Sequence, residues 1–230
     1  MNIVKIPLSH LYRLLLLFRA ALYKYKLIKT HQFSVPIVSV GNIVFGGSGK
    51  TPFINWIYKE LSGSYNVCII TRGYGRKNNN TIVIDSHTGG HSVSDVGDEP
   101  MMLINKNKNI QMVVGKDKAK SIQVSIKRFS PDIILLDDGF QSKYINRNLD
   151  IVMINGSMKK SCYHLFPFGV LREPINSLKR ADFIVWTRKK NVDSENLFYK
   201  YKSKILPVNE KYRLLNEQNE HLNIDEIIRV

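Results

Sequence analysis

Two cysteines, Cys68 and Cys162, are all that the chain of 230 residues contains, one within an apolar run and one in a loop. A disulfide-held secreted scaffold is therefore excluded, and a reducing compartment is expected, with Cys68 as a core residue. Acidic residues are also scarce. Nineteen Asp and Glu stand against thirty-four Lys and Arg, a net charge of +15. That excess points to a polyanionic partner: nucleic acid, an anionic membrane surface or a phosphorylated substrate. Nucleic acid is not expected, because no helix-turn-helix, zinc or RNA-binding pattern is present and the basic residues are spread along the chain. No apolar stretch comes near the roughly 20 residues of a bilayer crossing. The leucines of 11–18 are hemmed in by Lys5, Arg13, Arg19, Lys24, Lys26 and Lys29, and no small-residue cleavage site follows them. Internal repeats are absent, and Asn78 to Asn80 is the only low-complexity segment. His87 and His91 flank a TGG triplet that breaks any helix able to place them on one face, so no metal site is expected there.

What remains is an ordinary globular composition, 43% hydrophobic and 23% charged, long enough for one substantial core. Residues 1–33 read as a basic amphipathic helix lying in a membrane interface, packed on the main domain, or both. From Val35 onward apolar strands alternate with helices. Strands are expected at Val35 to Val40, Val67 to Thr71, Thr81 to Asp85, Ile110 to Val114, Asp132 to Asp138, Asp150 to Ile154 and Asp182 to Thr187. Helices are expected from about Lys50, near Pro100, and from about Asp117 to Phe129. The fold class is α/β, P-loop NTPase-like, with a mainly parallel sheet between helices and ligands at the carboxyl ends of the strands. Three units follow: an interfacial helix at 1–33, a P-loop core at 34–190, and a C-terminal remnant or link at 191–230.

The core is organised around PIVSVGNIVFGGSGKT, residues 36–51. A strand delivers the chain to a turn whose glycines, Gly46, Gly47 and Gly49, permit positive φ and close approach of backbone N–H groups to phosphate. A nucleotide-binding stretch from Val44 through Phe45, Gly46, Gly47, Ser48, Gly49, Lys50 and Thr51 results. Lys50 is placed on the β- and γ-phosphates and the Thr51 hydroxyl on magnesium. Val44 stands where the common P-loop pattern has glycine. The supporting context is DIILLDD, residues 132–138, an apolar strand running into Asp137, the arrangement that holds magnesium opposite a P-loop. Four further stretches lie where strands end: TRGYGRK (71–77), VGDEP (96–100), DDGFQSKYINRNLD (137–150) and LFPFGVLREP (165–174). Asp98 reads either as a helix N-cap or as the base that takes the proton of an attacking hydroxyl. Arg72, Arg76 and Arg172 read as phosphate contacts or solvated side chains. Thr187 to Lys190 lacks the aspartate of a guanine-specific loop, which favours ATP.

Taken together, SVGNIVFGGSGKTP, RGYGRK, VGDEP, DDGFQ and LREP followed by LKRAD resemble the ordered blocks of the tetraacyldisaccharide 4'-kinases, over roughly residues 1–190. The resemblance implies transfer of the ATP γ-phosphate to the 4'-hydroxyl of an acylated disaccharide phosphate lipid. It places the protein at the cytoplasmic face of the bacterial inner membrane, peripheral or monotopic, with ATP and Mg2+ as cofactors. Carried over by motif position, Lys50 and Thr51 handle phosphate and magnesium, Asp137 and Asp138 organise magnesium, Asp98 is the base, and Arg72 and Arg172 contact substrate or nucleotide phosphates. Family members continue into a smaller domain supplying a histidine partner for the GDEP aspartate. Here only a polar segment with His221 follows Lys190. The alternative reading is therefore a catalytically inactive, membrane-associated ATP-binding remnant.

Overall fold

Six apolar runs between Ile37 and Thr187 become parallel strands, too apolar on both faces to leave either in water. They are β1 (Ile37–Asn42), β2 (Val67–Thr71), β4 (Gln111–Val114), β5 (Ile133–Asp137), β6 (Leu149–Asn155) and β7 (Phe183–Thr187). The short β3 (Ile82–Ile84) pairs antiparallel with β4 at one edge, and β8 (Ile205–Val208) pairs parallel with β7 at the other. Spatial order is β3-β4-β2-β5-β1-β6-β7-β8. The helices are α1 (Asn2–Lys24), α2 (Lys50–Leu61), α3 (Val93–Val96), α4 (Asp98–Lys106) and α5 (Lys118–Phe129). The computed structural model describes residues 2–85, 90–188 and 196–208, with a hairpin of β9 (Leu214–Leu215) and β10 (His221–Leu222). His87 and most of the expected C-terminal unit lie outside the described residues, as does the His221 side chain.

Alternation along the strands sorts side chains to the two faces of the sheet. Val40, Ile69 and Leu135 pack with Ile54 and Ile57 of α2 and Leu103 of α4. Their neighbours Cys68, Ile70, Ile134 and Leu136 pack with Ile122 of α5. Cys68 is fully buried, and burial pushes its thiol up to about 12. Beyond β6 a third cluster joins Val152, Ile184 and Trp186 to Phe140, Phe198 and Tyr201, so residues on both sides of position 190 share one core. Helix ends follow local chemistry. The Asp117 carboxylate accepts from the Lys120 amide at 3.1 Å to start α5, and Ser130 closes it in the left-handed region at φ 47.

α1 is packed on the main domain, one of the two expectations for the first segment. One face is bonded to the body: the Ser9 hydroxyl donates to Leu165 O at 3.2 Å, Tyr12 to Arg172 O at 2.8 Å and Arg19 to Gln141 O at 2.5 Å. The other face leaves Leu8, Leu11, Leu14, Leu15 and Phe18 47–65% exposed. Among the described residues no helix is long and apolar enough to cross a membrane.

β1 and β5 are neighbours, with Val40 opposite Asp137, so their following loops leave the sheet side by side. The approach is close at Gly41, where a Cβ would meet the Phe140 Cβ at 2.6 Å and its backbone nitrogen at 3.0 Å. Gly41→Ala should therefore destabilise the protein by about 1–3 kcal/mol, read as a lower urea midpoint with an unchanged slope.

Candidate active site

Asn42 ends β1 and folds the next loop onto itself, its amide donating to Ser48 Oγ at 3.0 Å and to Gly46 O at 3.4 Å. Val44 turns inward, 3% exposed and bridged to Leu171, so its side chain belongs to the core and only its backbone borders the loop. The Phe45 amide is taken by Val170 O at 2.8 Å. The open part of the cradle therefore begins at Gly46. Gly46 (φ 105) and Gly49 (φ 79) are left-handed as expected, whereas Gly47 is not. A Cβ at Gly46 or Gly47 would meet nothing within 4 Å, so the side of the loop away from the body is clear. α2 then starts at Lys50 with no side-chain cap, which leaves its first-turn amides and positive dipole end available to an anion. Thr51 is 7% exposed in that turn.

Asp137, the last residue of β5, and Asp138, which follows it, have opposite environments. Asp137 is 6% exposed. One carboxylate oxygen accepts from the Thr71 hydroxyl at 2.8 Å, and the other, Oδ1, is buried with no protein partner. Burial raises its pKa to about 6, opposed by the Thr71 hydrogen bond and reinforced by Glu99. Asp138 continues the ladder through its amide to Val40 O at 2.8 Å, but in the left-handed region, at φ 49. That turn aims its carboxylate at cations. Arg172 Nη1 donates to both of its oxygens at 2.9 and 3.0 Å, and Lys50 Nζ lies 3.8 Å away. Burial pushes Asp138 upward, yet Arg172, Lys50 and Lys118 together hold it below the usual carboxylate range. Lys50 thus meets Asp138 rather than Asp137.

The other expected residues reach the same sheet edge by different routes. Gly97 (φ 95), not Asp98, is the N-cap of α4, and Asp98 is the first helical residue, exposed and without a capping bond. A Cβ on Gly97 would meet Tyr74 O at 2.7 Å, so the VGDEP turn is pressed against the loop that follows β2. Arg72 is exposed there. Arg76, by contrast, bends back to Asn80 O at 2.8 Å and Val114 O at 3.4 Å, and ties its own loop instead of facing a substrate. Arg172 is committed to Asp138, to Asn42 Oδ1 at 3.3 Å and to the face of Phe45 at 5.6 Å.

Lys118 carries no signal in the sequence, where it sits in a run of charged residues. It is 7% exposed, with Nζ 2.5 Å from the Asp138 carbonyl, and burial lowers its pKa to about 8. Thr71, Asn42 and Gln141 lie inside the quoted motifs without a role read for them. Gln141 Nε2 braces Asn42 O at 2.8 Å.

The donor set fits a nucleotide with a divalent cation: an uncapped helix start, two cations beside one carboxylate, a buried hydroxyl at Thr51 and the unpartnered oxygen of Asp137. Holding that carboxylate opposes folding. The folded pKa of Asp137 is raised, so its stabilising contribution is complete below the unfolded value and is lost as pH rises through about 6. In nucleotide- and metal-free protein at pH 8, Asp137→Asn should therefore raise stability by roughly 2 kcal/mol. The gain should shrink toward pH 5, read from thermal melts at the two pH values.

Comparison with known proteins bears on this geometry. The family model for tetraacyldisaccharide-1-P 4'-kinase matches residues 1–226. The tetraacyldisaccharide 4'-kinase of Halothermothrix orenii is 37% identical over 193 residues, 83% of this chain and 50% of that relative. Its counterpart from Aquifex aeolicus is 36% identical over 184 residues, 79% of this chain and 57% of the relative. The chain spans about half the length of these curated relatives. The crystal structure of LpxK from Aquifex aeolicus in complex with ATP matches with a TM-score of 0.78 at 30% identity, covering 97% of this chain and 70% of that one. The match across residues 1–226, the curated relatives and the structural likeness agree, and the chain belongs to the tetraacyldisaccharide-1-P 4'-kinase family.

Proposed function

We propose that the protein transfers the γ-phosphate of ATP to the 4'-hydroxyl of a tetraacylated glucosamine disaccharide 1-phosphate, at the cytoplasmic face of a bacterial inner membrane. The observation that carries this reading is the meeting of Lys50 and Arg172 at Asp138, beside the uncapped start of α2. Phosphoryl transfer asks a protein mainly for positioning and neutralisation of charge, and this edge of the sheet supplies both. Lys50 and the amides of Gly46 to Thr51 hold the triphosphate. Thr51, Asp137 and Asp138 would hold Mg2+, which when bound would neutralise phosphate charge. Asp98 accepts the proton of the 4'-hydroxyl as its oxygen bonds to the γ-phosphorus and the bond to the β–γ bridging oxygen breaks. Arg72, exposed at the end of β2, and Arg172 contact phosphate groups.

The acceptor is read from the other side of the 171–174 segment. There a cavity of about 890 Å³ opens between α1 and residues 163–180, with Leu16, Leu17, Leu165 and Phe168 among its walls and Arg13, Lys143 and Arg180 at its margins. An acylated and phosphorylated lipid needs such a pairing of apolar wall and cations. Leu171 and Glu173 line the cavity while Arg172 between them turns to Asp138, so one segment borders both substrates. α1, with its outward leucines and flanking cations, lies in the interface of an anionic membrane.

Purified protein given labelled ATP and acceptor lipid in mixed micelles should yield 4'-phosphorylated product. Asp98→Ala should lower kcat by about 10²–10⁴-fold with ATP affinity unchanged, while Lys50→Ala should weaken ATP binding itself. ATP binding without any phosphorylated lipid would overturn the kinase reading and leave a nucleotide-binding remnant.

A further inference from the structure

Three phenyl rings stand in solvent beside α1: Phe45, Phe166 and Phe168, exposed by 50%, 49% and 44%. Two of them pack together. Phe45 and Phe166 lie 5.5 Å apart between centroids, and Phe166 meets the ring of Tyr12 on α1 edge-on at 6.2 Å. The loop that presents them is tightly built. Leu165 O accepts from the amides of Phe168 and Gly169, both at 3.0 Å, and also from Ser9 of α1 at 3.2 Å, while the Phe166 amide donates to Leu171 O at 3.1 Å. A Cβ at Gly169 would meet His164 O at 2.4 Å, so only glycine lets this turn close. The loop is thus held firm against the body with its apolar side chains outward. Single exposed apolar residues need no explanation, but a packed aromatic group adjoining the bare leucine face of α1 marks an interaction surface.

The charges around that surface identify its occupant. Arg13, Arg19 and Lys24 on α1, followed by Lys26 and Lys29, border the apolar strip, and no acidic residue occurs before Glu60. Aromatic and leucine side chains rimmed by cations fit the boundary between anionic headgroups and acyl chains. We propose that Phe45 and the 165–170 loop form a second membrane-inserting element, seated beside α1 in an anionic bilayer. This rests on the reading of α1 as an interfacial helix. Its consequence is one of position: Phe45 directly precedes Gly46 of the phosphate loop and lies under the Arg172 guanidinium. Insertion of its ring sets the mouth of the nucleotide site at the height of the lipid headgroups.

The test is partition of the full chain onto vesicles of phosphatidylcholine with and without phosphatidylglycerol. The wild type should bind the anionic vesicles preferentially, and Phe166→Ser with Phe168→Ser should lower the partition coefficient about tenfold. Phe166→Leu with Phe168→Leu should restore it, and thermal melts should show all three forms folded. Depth is read separately. In a Trp56→Phe background, Phe166→Trp should be quenched by lipids brominated on the acyl chain, while Trp186, 2% exposed, is not. If the wild type does not bind anionic vesicles, both the α1 reading and this one fail. If it binds, but the serine pair binds equally and the indole at position 166 is not quenched, only this inference is overturned. A wild-type dimer that the serine pair converts to monomer, with vesicle binding unchanged, would also overturn it by making the occupant a second copy of the chain.

Discussion

The site depends on one carboxylate surrounded by more positive charge than it can neutralise. Lys50, Lys118 and Arg172 all converge on Asp138, two through its side chain and one through its carbonyl. At an effective dielectric near 20, two unit charges about 4 Å apart interact by about 4 kcal/mol. Asp138 offsets one of the three cations and the ionised form of Asp137 acts on Lys118, which still leaves the cations in excess. The uncompensated charge is confined to the strand tips, where the α2 dipole adds to it. A polyphosphate anion would relieve such a field, which supports the proposed nucleotide site at this edge beyond what the glycine pattern alone does. The left-handed backbone of Asp138 is consistent with this, since strained φ values persist where the surroundings require them.

The same cluster links the phosphate loop to α1. Tyr12 bonds to the carbonyl of Arg172, whose guanidinium grips Asp138. Arg19 bonds to the carbonyl of Gln141, whose amide braces Asn42, which in turn folds Ser48 and Gly46 into the cradle. Two short chains of hydrogen bonds therefore run from the first helix to the glycine-rich loop and the Asp138 cluster. Leu8, Leu11, Leu14, Leu15 and Phe18 of α1 are bare, and among its described residues these polar bonds and the Tyr12–Phe166 contact tie the helix to the body. A shift of that helix would be felt first at Arg172 and Asn42.

Much of this arrangement was legible in the residues. The strand Val67 to Thr71 is found with the expected ends, and the order of P-loop, RGYG, GDEP, DDGFQ and LREP blocks anticipates which loops share an edge. β1 runs two residues further than expected, to Asn42, because β6 pairs with Gly41 and Asn42 and overrides their weak strand preference. Other features depend on tertiary surroundings that local sequence does not carry. Lys118 lies among charged neighbours and reads as solvated, and it becomes buried only because α5 starts under the Asp138 carbonyl. Arg76 has the look of a substrate contact, yet its loop folds so that the carbonyls of Asn80 and Val114 take it. β8 follows a polar stretch and gains its place from pairing with β7.

The pair Asp137 and Asp138 shows most plainly why environment, rather than residue type, decides role. β5 ends at Asp137 and the backbone turns left-handed at Asp138, so one step along the chain separates a carboxylate walled in beside Thr71 from one ringed by cations. Burial drives the first toward the neutral form, and the cations keep the second ionised. A structure selected for stability alone would place a neutral or apolar group at position 137, because the unpartnered buried oxygen forfeits solvation with nothing in the protein to replace it. The free energy so withheld is recovered by whatever donor or cation fills that position. A ligand bound there would thereby be coupled to stability of the fold, because the unliganded protein carries the deficit of that unpartnered oxygen.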